Sequence, residues 1–349
     1  MDFTKPQITK ETKNKISVDY EGKLSVRERL SYKLKSSFTW IKILVNIARF
    51  LLMLGVSFVI LYPFVSRIAG SFMSYTDVID STVSLIPKDP TLDIYKYIIT
   101  EVGYLEALRN TVLLSLISAI VQTFVACLIG YGLAKFKFKG NALIMALVVV
   151  TMTIPHNSLR YSLSSHFRQF DLGTVISWDY PGIIELITGG AVNLTNTYWP
   201  MVILSLTGLA FKNGLYIYLM RQFFKGVPDG LEESAYVDGS GTLRTFLQII
   251  TPLAVPMMIT IFLFSFSWQW TDEFYVGLFF PSGYNALKMM PTVYQEAFGG
   301  WLVPPVGVDA YRTVVRNTAG IMIIAPLIVL YLFCQKYLVQ GIERSGLVG

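Results

Sequence analysis

Six stretches of this chain are long and apolar enough to cross a lipid bilayer. That pattern limits the fold more than any other feature. A helix needs about 20 mostly apolar residues to cross the hydrocarbon, and only a helix satisfies all its backbone polar groups within one segment. The stretches run from about Ile43 to Val65, Thr111 to Ala134, Ala142 to about Leu159, Trp199 to Met220, Pro252 to about Phe280, and about Thr318 to Leu338. Pro155 interrupts the third, which neighbouring helices can accommodate. The fold class expected is an all-α membrane protein with six transmembrane helices. Composition agrees: 53% of the 349 residues are apolar and 15% are charged. That is too little charge to cover a water-facing surface, which excludes a disordered chain and argues against a soluble enzyme.

Few residues could support bond-making chemistry. Cys127 and Cys334 both lie in apolar runs, which is no disulfide framework. His156 and His166 stand ten residues apart with no further Cys or His between them, so a zinc site is not expected and both read as polar interfacial residues. No nucleophile–base pair is evident.

Charge gives the orientation. Residues 1–49 hold eleven Lys/Arg against five acids, which accounts for the whole net charge of +6. A nucleic-acid-binding arm is one reading of such a tail. The favoured reading is a cytoplasmic tail, residues 1–40, held near anionic lipid headgroups, with no nucleic-acid partner. Its length before the first span does not suit a signal peptide. Nineteen Lys/Arg fall on the side of the tail and nine in the other three loops. Both termini are therefore expected in the cytoplasm.

The polar link 221–251, on the tail side, has a distinct character. Pro228-Asp229-Gly230 opens it, Leu231 to Val237 reads as helix, Asp238-Gly239-Ser240-Gly241 as turn, and Thr242 to Ile250 as helix again. Glu232 and Glu233 suit a helix start. Gly239 permits a sharp change of direction. Leu231, Ala235 and Tyr236 share a face that could dock into another protein's groove. On these grounds alone the link is either a rigid cytoplasmic lever or a solvated hairpin.

Glu233, Ser234, Ala235, Gly239, Ile249 and Pro252 stand at the spacing of E-A-A, three residues, G, nine residues, I-x-L-P. The segment resembles the EAA loop of ABC-importer permeases. It departs at Ser234, where Ala is usual, and at Thr251, where Leu is usual. Asp238 before Gly239 matches the form common in sugar permeases. Arg221-Gln222-Phe223-Phe224-Lys225-Gly226-Val227-Pro228 resembles the R-Q-F-F-x-x-x-P lead-in of MalG-like proteins. Gln335 to Gly341 resembles their C-terminal end. Trp268-Gln269-Trp270-Thr271-Asp272-Glu273-Phe274 resembles their W-x-W-N-[DE]-F segment, with Thr271 in place of Asn and one extra acid. The resemblance covers about residues 110–349, within a permease domain of residues 41–349. Residues 171–194 look like an outer insertion.

The resemblance implies the type I ABC-importer permease fold, with a coupling helix between spans four and five. It implies a transmembrane subunit of a carbohydrate importer working by alternating access. Glu232, Glu233, Ser234, Ala235, Tyr236, Asp238, Gly239 and Arg244 would meet the ATPase. The implied partners are a second, non-identical permease, two ATPase subunits, an extracellular sugar-binding protein and a sugar or oligosaccharide, in a bacterial cell membrane. No phosphate-cradling G-x-x-x-x-G-K-[ST] motif is present, so ATP and Mg belong to the partner ATPase and this chain needs no cofactor.

For the substrate pathway, Lys212 lies mid-way along the fourth stretch and is read as facing a cavity or a partner, or snorkelling. Trp268, Trp270, Asp272 and Glu273 lie in the fifth. Ionisable groups at membrane depth are costly and usually functional. Asp272 and Glu273 either face a cavity or meet water at the outer interface. An ion-coupled secondary transporter would also explain six spans, though not the loop. A permease for a non-sugar solute stays open as well.

Overall fold

The computed structural model describes residues 7–11, 15–19, 37–171, 182–280, 287–298, 300 and 307–346. The chain divides into two compact units, Met1–Ser66 and Arg67–Gly349.

In the first unit, strands β1 (Gln7–Glu11) and β2 (Lys15–Asp19) pair antiparallel, with Gln7 opposite Asp19 and Glu11 opposite Lys15. The all-α fold class expected from the sequence included no strands. The β-branched residues Ile8, Thr9, Ile16 and Val18 favour extended backbone, and the hairpin adds two strands to an otherwise helical chain. Helix α1 (Ser37–Gly70) then begins, carrying the first apolar stretch.

The second unit continues with α2 (Tyr75–Ile79), α3 (Asp93–Thr100), α4 (Tyr104–Lys135), α5 (Asn141–Thr153) and α6 (Arg160–Arg168). After these come α7 (Ile183–Thr188), α8 (Trp199–Leu206), α9 (Asn213–Lys225), α10 (Gly230–Val237) and α11 (Thr242–Thr245). A π turn (Phe246–Ile250) joins α11 to α12 (Thr251–Trp270), and α13 (Phe274–Phe279), α14 (Met290–Glu296) and α15 (Val308–Gly346) complete the chain.

Among the described residues, four helices are long and apolar enough to cross a bilayer unaided: Trp40–Gly70, Tyr104–Lys135, Thr242–Trp270 and Val308–Tyr337. A fifth crossing is possible through Asn141–Thr153 and His156–Arg168, which meet at a 94° bend. Pro155 supplies no N–H and disfavours helix at Ile154, so the third expected span stops at Thr153. The fourth, Trp199–Met220, is not one continuous helix. It breaks between Leu206 and Asn213, where Gly208 and Lys212 have φ of 75° and 64°. The fifth ends at Trp270, not near Phe280.

The long α4 is the axis of the packing. Its C-terminal half buries Ala126, Cys127 and Tyr131 against Tyr216, Met220 and Phe224 of α9 and Ala254, Met257 and Ile261 of α12. Apolar burial drives little association between helices in lipid, so close fit and hydrogen bonds carry more of it. Gly130 is the point of closest fit, since a Cβ there would come within 2.6 Å of Met220 Cβ. Gln122 at mid-helix donates to Ser205 (3.3 Å) and accepts from Ser265 (2.8 Å), tying α4 to α8 and α12.

Pro326 inside α15 cannot donate to the Met322 carbonyl four residues back. Tyr104 OH donates to that carbonyl at 2.9 Å. Trp270 Nε1 donates to the adjacent Ile323 carbonyl, also at 2.9 Å.

Residues 172–181 of the expected outer insertion lie outside the described residues. Its ends meet where Phe170 and Val192 exchange backbone hydrogen bonds of 3.0 and 3.1 Å. Asp171 accepts the Ile184 amide at 2.8 Å, at the start of α7.

Candidate functional site

The candidate residues fall in two places, a surface helix and a cavity at the breaks in the apolar helices. The surface helix is α10. It follows directly from α4 and α9: Lys135 Nζ, at the end of α4, donates to the Val227 carbonyl and to Asp229 Oδ1, each at 2.6 Å. Asp229 sits at the α10 N-cap but spends its carboxylate on Lys135 rather than on capping. The ammonium holds that carboxyl below the usual aspartate range. Glu232 and Glu233 in the first turn favour the positive end of the helix dipole.

The helix ends in a Schellman motif. Ser240 N donates to Ala235 O (2.9 Å) and Gly239 N to Tyr236 O (3.0 Å), with Gly239 at φ 79°. This satisfies the last carbonyls and turns the chain sharply, as the sequence led one to expect.

The eight expected residues of this hairpin divide by direction. Ala235 and Glu232 turn inward and are buried. Glu233, Ser234, Tyr236, Asp238, Gly239 and Arg244 are exposed, and Arg244 Nε donates to Gln248 across one turn. The expected docking face of Leu231, Ala235 and Tyr236 is therefore revised: Ala235 is used up inside the chain. Val237, 87% exposed, joins Leu231 and Tyr236 as outward apolar surface. Sequence reading missed Val237, because helical periodicity does not say which side of an eight-residue helix is covered.

The second place is a cavity of about 140 Å³ lined by Thr151, Met152, His156, Gly208 and Lys212 among others. Two helix breaks build it. The bend after α5 delivers His156, and the break between α8 and α9 delivers Lys212 as the residue preceding α9. Lys212 is therefore not inside a helical span. Its Nζ lies 4.8 Å from the Phe211 ring centroid and 4.9 Å from that of Trp268. The His156 ring packs edge-on against Phe211 at 4.5 Å.

Beside it lies a space of about 10 Å³, room for one water, lined by Gln122, Phe211, Ser265, Trp268, Gln269 and Asp272. Asp272 does not lie within a helix. It occupies the turn after α12, where its Oδ2 accepts the Tyr275 amide at 3.0 Å at the start of α13. A short carboxylate bonding ahead to a backbone amide favours such a turn over continued helix.

The five expected pathway residues separate accordingly. Lys212, Trp268 and Asp272 gather around Phe211. Trp270 and Glu273 line a different, open depression with Pro291, Tyr294 and Gly320. Trp270 is 1% exposed and fixes α12 to α15 through its indole N–H. His156 and Phe211 join the site unannounced by the sequence. Their one signal was Pro155, which marks a break without saying what the break faces. Among the described residues no group of three or more His, Cys, Asp or Glu is placed to hold a metal ion.

Residues 122–344 match the family described as binding-protein-dependent transport system inner membrane component. The chain belongs to that family. It is thus a transport permease, the membrane component of an importer, and not an enzyme. Members similar to it include the galactooligosaccharides transport system permease protein GanQ of Bacillus subtilis. That protein is 27% identical, with 86% of this chain and 94% of GanQ covered. The polygalacturonan/rhamnogalacturonan transport system permease protein YtcP of the same organism is 25% identical, with 86% of this chain and 96% of YtcP covered. Among solved structures, a bacterial ABC transporter involved in the import of the acidic polysaccharide alginate shares the fold. Its TM-score is 0.65 at 20% identity, covering 86% of this chain and 98% of that one.

Proposed function

We propose that this permease is one transmembrane subunit of an ATP-driven importer that carries a sugar or oligosaccharide into the cytoplasm. The observation that carries the reading is α10. It is a short helix pinned at its start by Lys135 and closed at its end by Gly239, and it presents Leu231, Glu233, Ser234, Tyr236 and Val237 outward. Such a helix suits docking into a groove of an ATPase subunit, two of which would bind ATP and Mg and drive the cycle. Asp238 and Arg244 flank the contact. Movement of α10 would pass to α4 through Lys135 and to α12 through the π turn, rocking the bundle between inward- and outward-open states.

The sugar assignment is supported by the similar permeases, GanQ for galactooligosaccharides and YtcP for polygalacturonan and rhamnogalacturonan among them. The cavity offers polar groups of the kind a sugar hydroxyl can bond, in Thr151, His156 and Lys212. Discontinuous helices lining a cavity are a recurring way to build a site at membrane depth. Counting the bent pair α5–α6 and the broken pair α8–α9 as one crossing each gives six crossings. The Lys/Arg distribution then supports both termini in the cytoplasm. A second, non-identical permease would complete the pathway, and the family's description supports delivery by a separate binding protein.

The test is purification of the tagged chain in mild detergent with identification of what accompanies it. A second permease and an ATPase are expected. A stable chain without any ATPase would overturn the reading and favour an ion-coupled transporter.

A further inference from the structure

The cavity at the two helix breaks carries a positive charge that nothing in its walls neutralises. Among the described residues Lys212 has no carboxylate partner; its ammonium is held over the rings of Phe211 and Trp268. Placing it there is costly, since a non-glycine residue at φ 64° stores backbone strain and a half-buried ammonium loses part of its hydration. Cation–π contact offsets part of that cost and fixes the ammonium in position. The second titratable group of the cavity, His156, is a hydrogen-bond donor or a further cation, not an anion. No acid among the described residues lines this cavity. Asp272 lines the adjoining small space, where its Oδ2 accepts the Tyr275 amide, and Glu273 lines the separate depression beside Trp270.

We propose that Lys212, with His156, receives the carboxylate of an acidic saccharide, so that this permease favours uronic-acid oligosaccharides over neutral ones. The proposal rests on the sugar-importer reading and names the substrate class within it. Both polar groups of the cavity are suited to an anion: the Lys212 ammonium, fixed over its two rings, can pair with the carboxylate, and the His156 imidazole can donate a further hydrogen bond to it. A neutral sugar would leave the ammonium desolvated without an anion, which selects against it.

The test uses the complete transporter, with its partner permease, ATPases and binding protein, reconstituted in liposomes. Uptake of a trigalacturonide is compared with that of its carboxyl-reduced, neutral counterpart. The wild type is expected to take up the acidic trisaccharide at least tenfold more efficiently. Lys212→Asn removes the charge with a residue type that tolerates positive φ, and is expected to lower the acidic-to-neutral ratio at least tenfold. Lys212→Arg is expected to restore most of that ratio.

Uptake of the neutral trisaccharide alone, or an unchanged ratio in Lys212→Asn, would overturn the proposal while leaving the sugar importer standing. Loss of the second permease from the Lys212→Asn complex would also overturn it, because Lys212 would then pair with a partner acid. Should the variant chain itself not accumulate in the membrane, the wild-type ratio decides. ATP-driven uptake of neither trisaccharide would overturn the sugar reading and the proposal together.

Discussion

Lys135 and Asp229 meet at 2.6 Å, joining the last residue of α4 to the residue that opens the exposed α10. The lysine side chain is 6% exposed and the aspartate 77%. The buried end of the pair also holds the Val227 carbonyl, so Lys135 fixes the chain's path as well as a charge. Under the proposed coupling, a pull on α10 would reach α4 through this side chain.

Lys135→Gln keeps most of the side chain's length and removes the charge. It should lower substrate-stimulated ATPase activity several-fold with little change in the amount of protein in the membrane, as read on the reconstituted complex. Because Asp229 is held below the ordinary carboxylate range, the contact stabilises at neutral pH. It is lost only as pH falls through that lowered pKa. Coupling should accordingly stay level from neutral to mildly acidic pH, and a midpoint near neutrality would show that another group controls it.

Gly239 has open space around its Cβ position, so its requirement is backbone conformation alone. Gly239→Val should strain the turn by about 1–2 kcal/mol and reduce transport. Gly239→Asn should recover most of it, because Asn tolerates positive φ. Uptake rates of the two variants, normalised to membrane content, give the comparison.

Ser234 faces outward at the middle of α10. With Cys127 and Cys334 replaced, a photo-crosslinker on Ser234→Cys should join this chain to an ATPase subunit, visible as a shifted band identified by mass spectrometry. The added charge of Glu233→Lys should remove both that band and ATP-dependent uptake.

Tyr104→Phe deletes the donor that fills the Met322 carbonyl left open by Pro326. A loss of about 1 kcal/mol is expected, appearing as a lower unfolding temperature in detergent, with the transport mechanism unaltered. No change would mean that water or lipid fills the carbonyl equally well.

Asp272→Ala removes the acceptor for the Tyr275 amide beside Trp268. It should raise the substrate concentration needed for half-maximal ATPase stimulation, and Asp272→Asn, which keeps an acceptor oxygen, should raise it less. Identical kinetics in both variants would remove Asp272 from the pathway.

How much of this was legible in the sequence depends on the kind of signal. Four spans announced themselves because continuous apolar runs have few other fates at that length. The hairpin around Gly239 was legible because its turn chemistry is local: Pro228, Asp229 and Gly239 each dictate their own backbone. The breaks were harder. Lys212 lies amid apolar residues and reads as mid-span, yet the chain stops being helical six residues earlier, at Leu206. Asp272 and Glu273 are adjacent in sequence, and only the turn after Trp270 sends them to different cavities. His156 gave no sign of its place, since its neighbours Phe211 and Lys212 arrive from the break between α8 and α9, distant in sequence.

The most direct test of ATP-coupled import is uptake of labelled oligosaccharide by liposomes holding the complete transporter. Accumulation against a gradient is expected only when ATP is present inside with the ATPases and the loaded binding protein is present outside. Accumulation driven by an imposed proton or sodium gradient, without ATP, would contradict it.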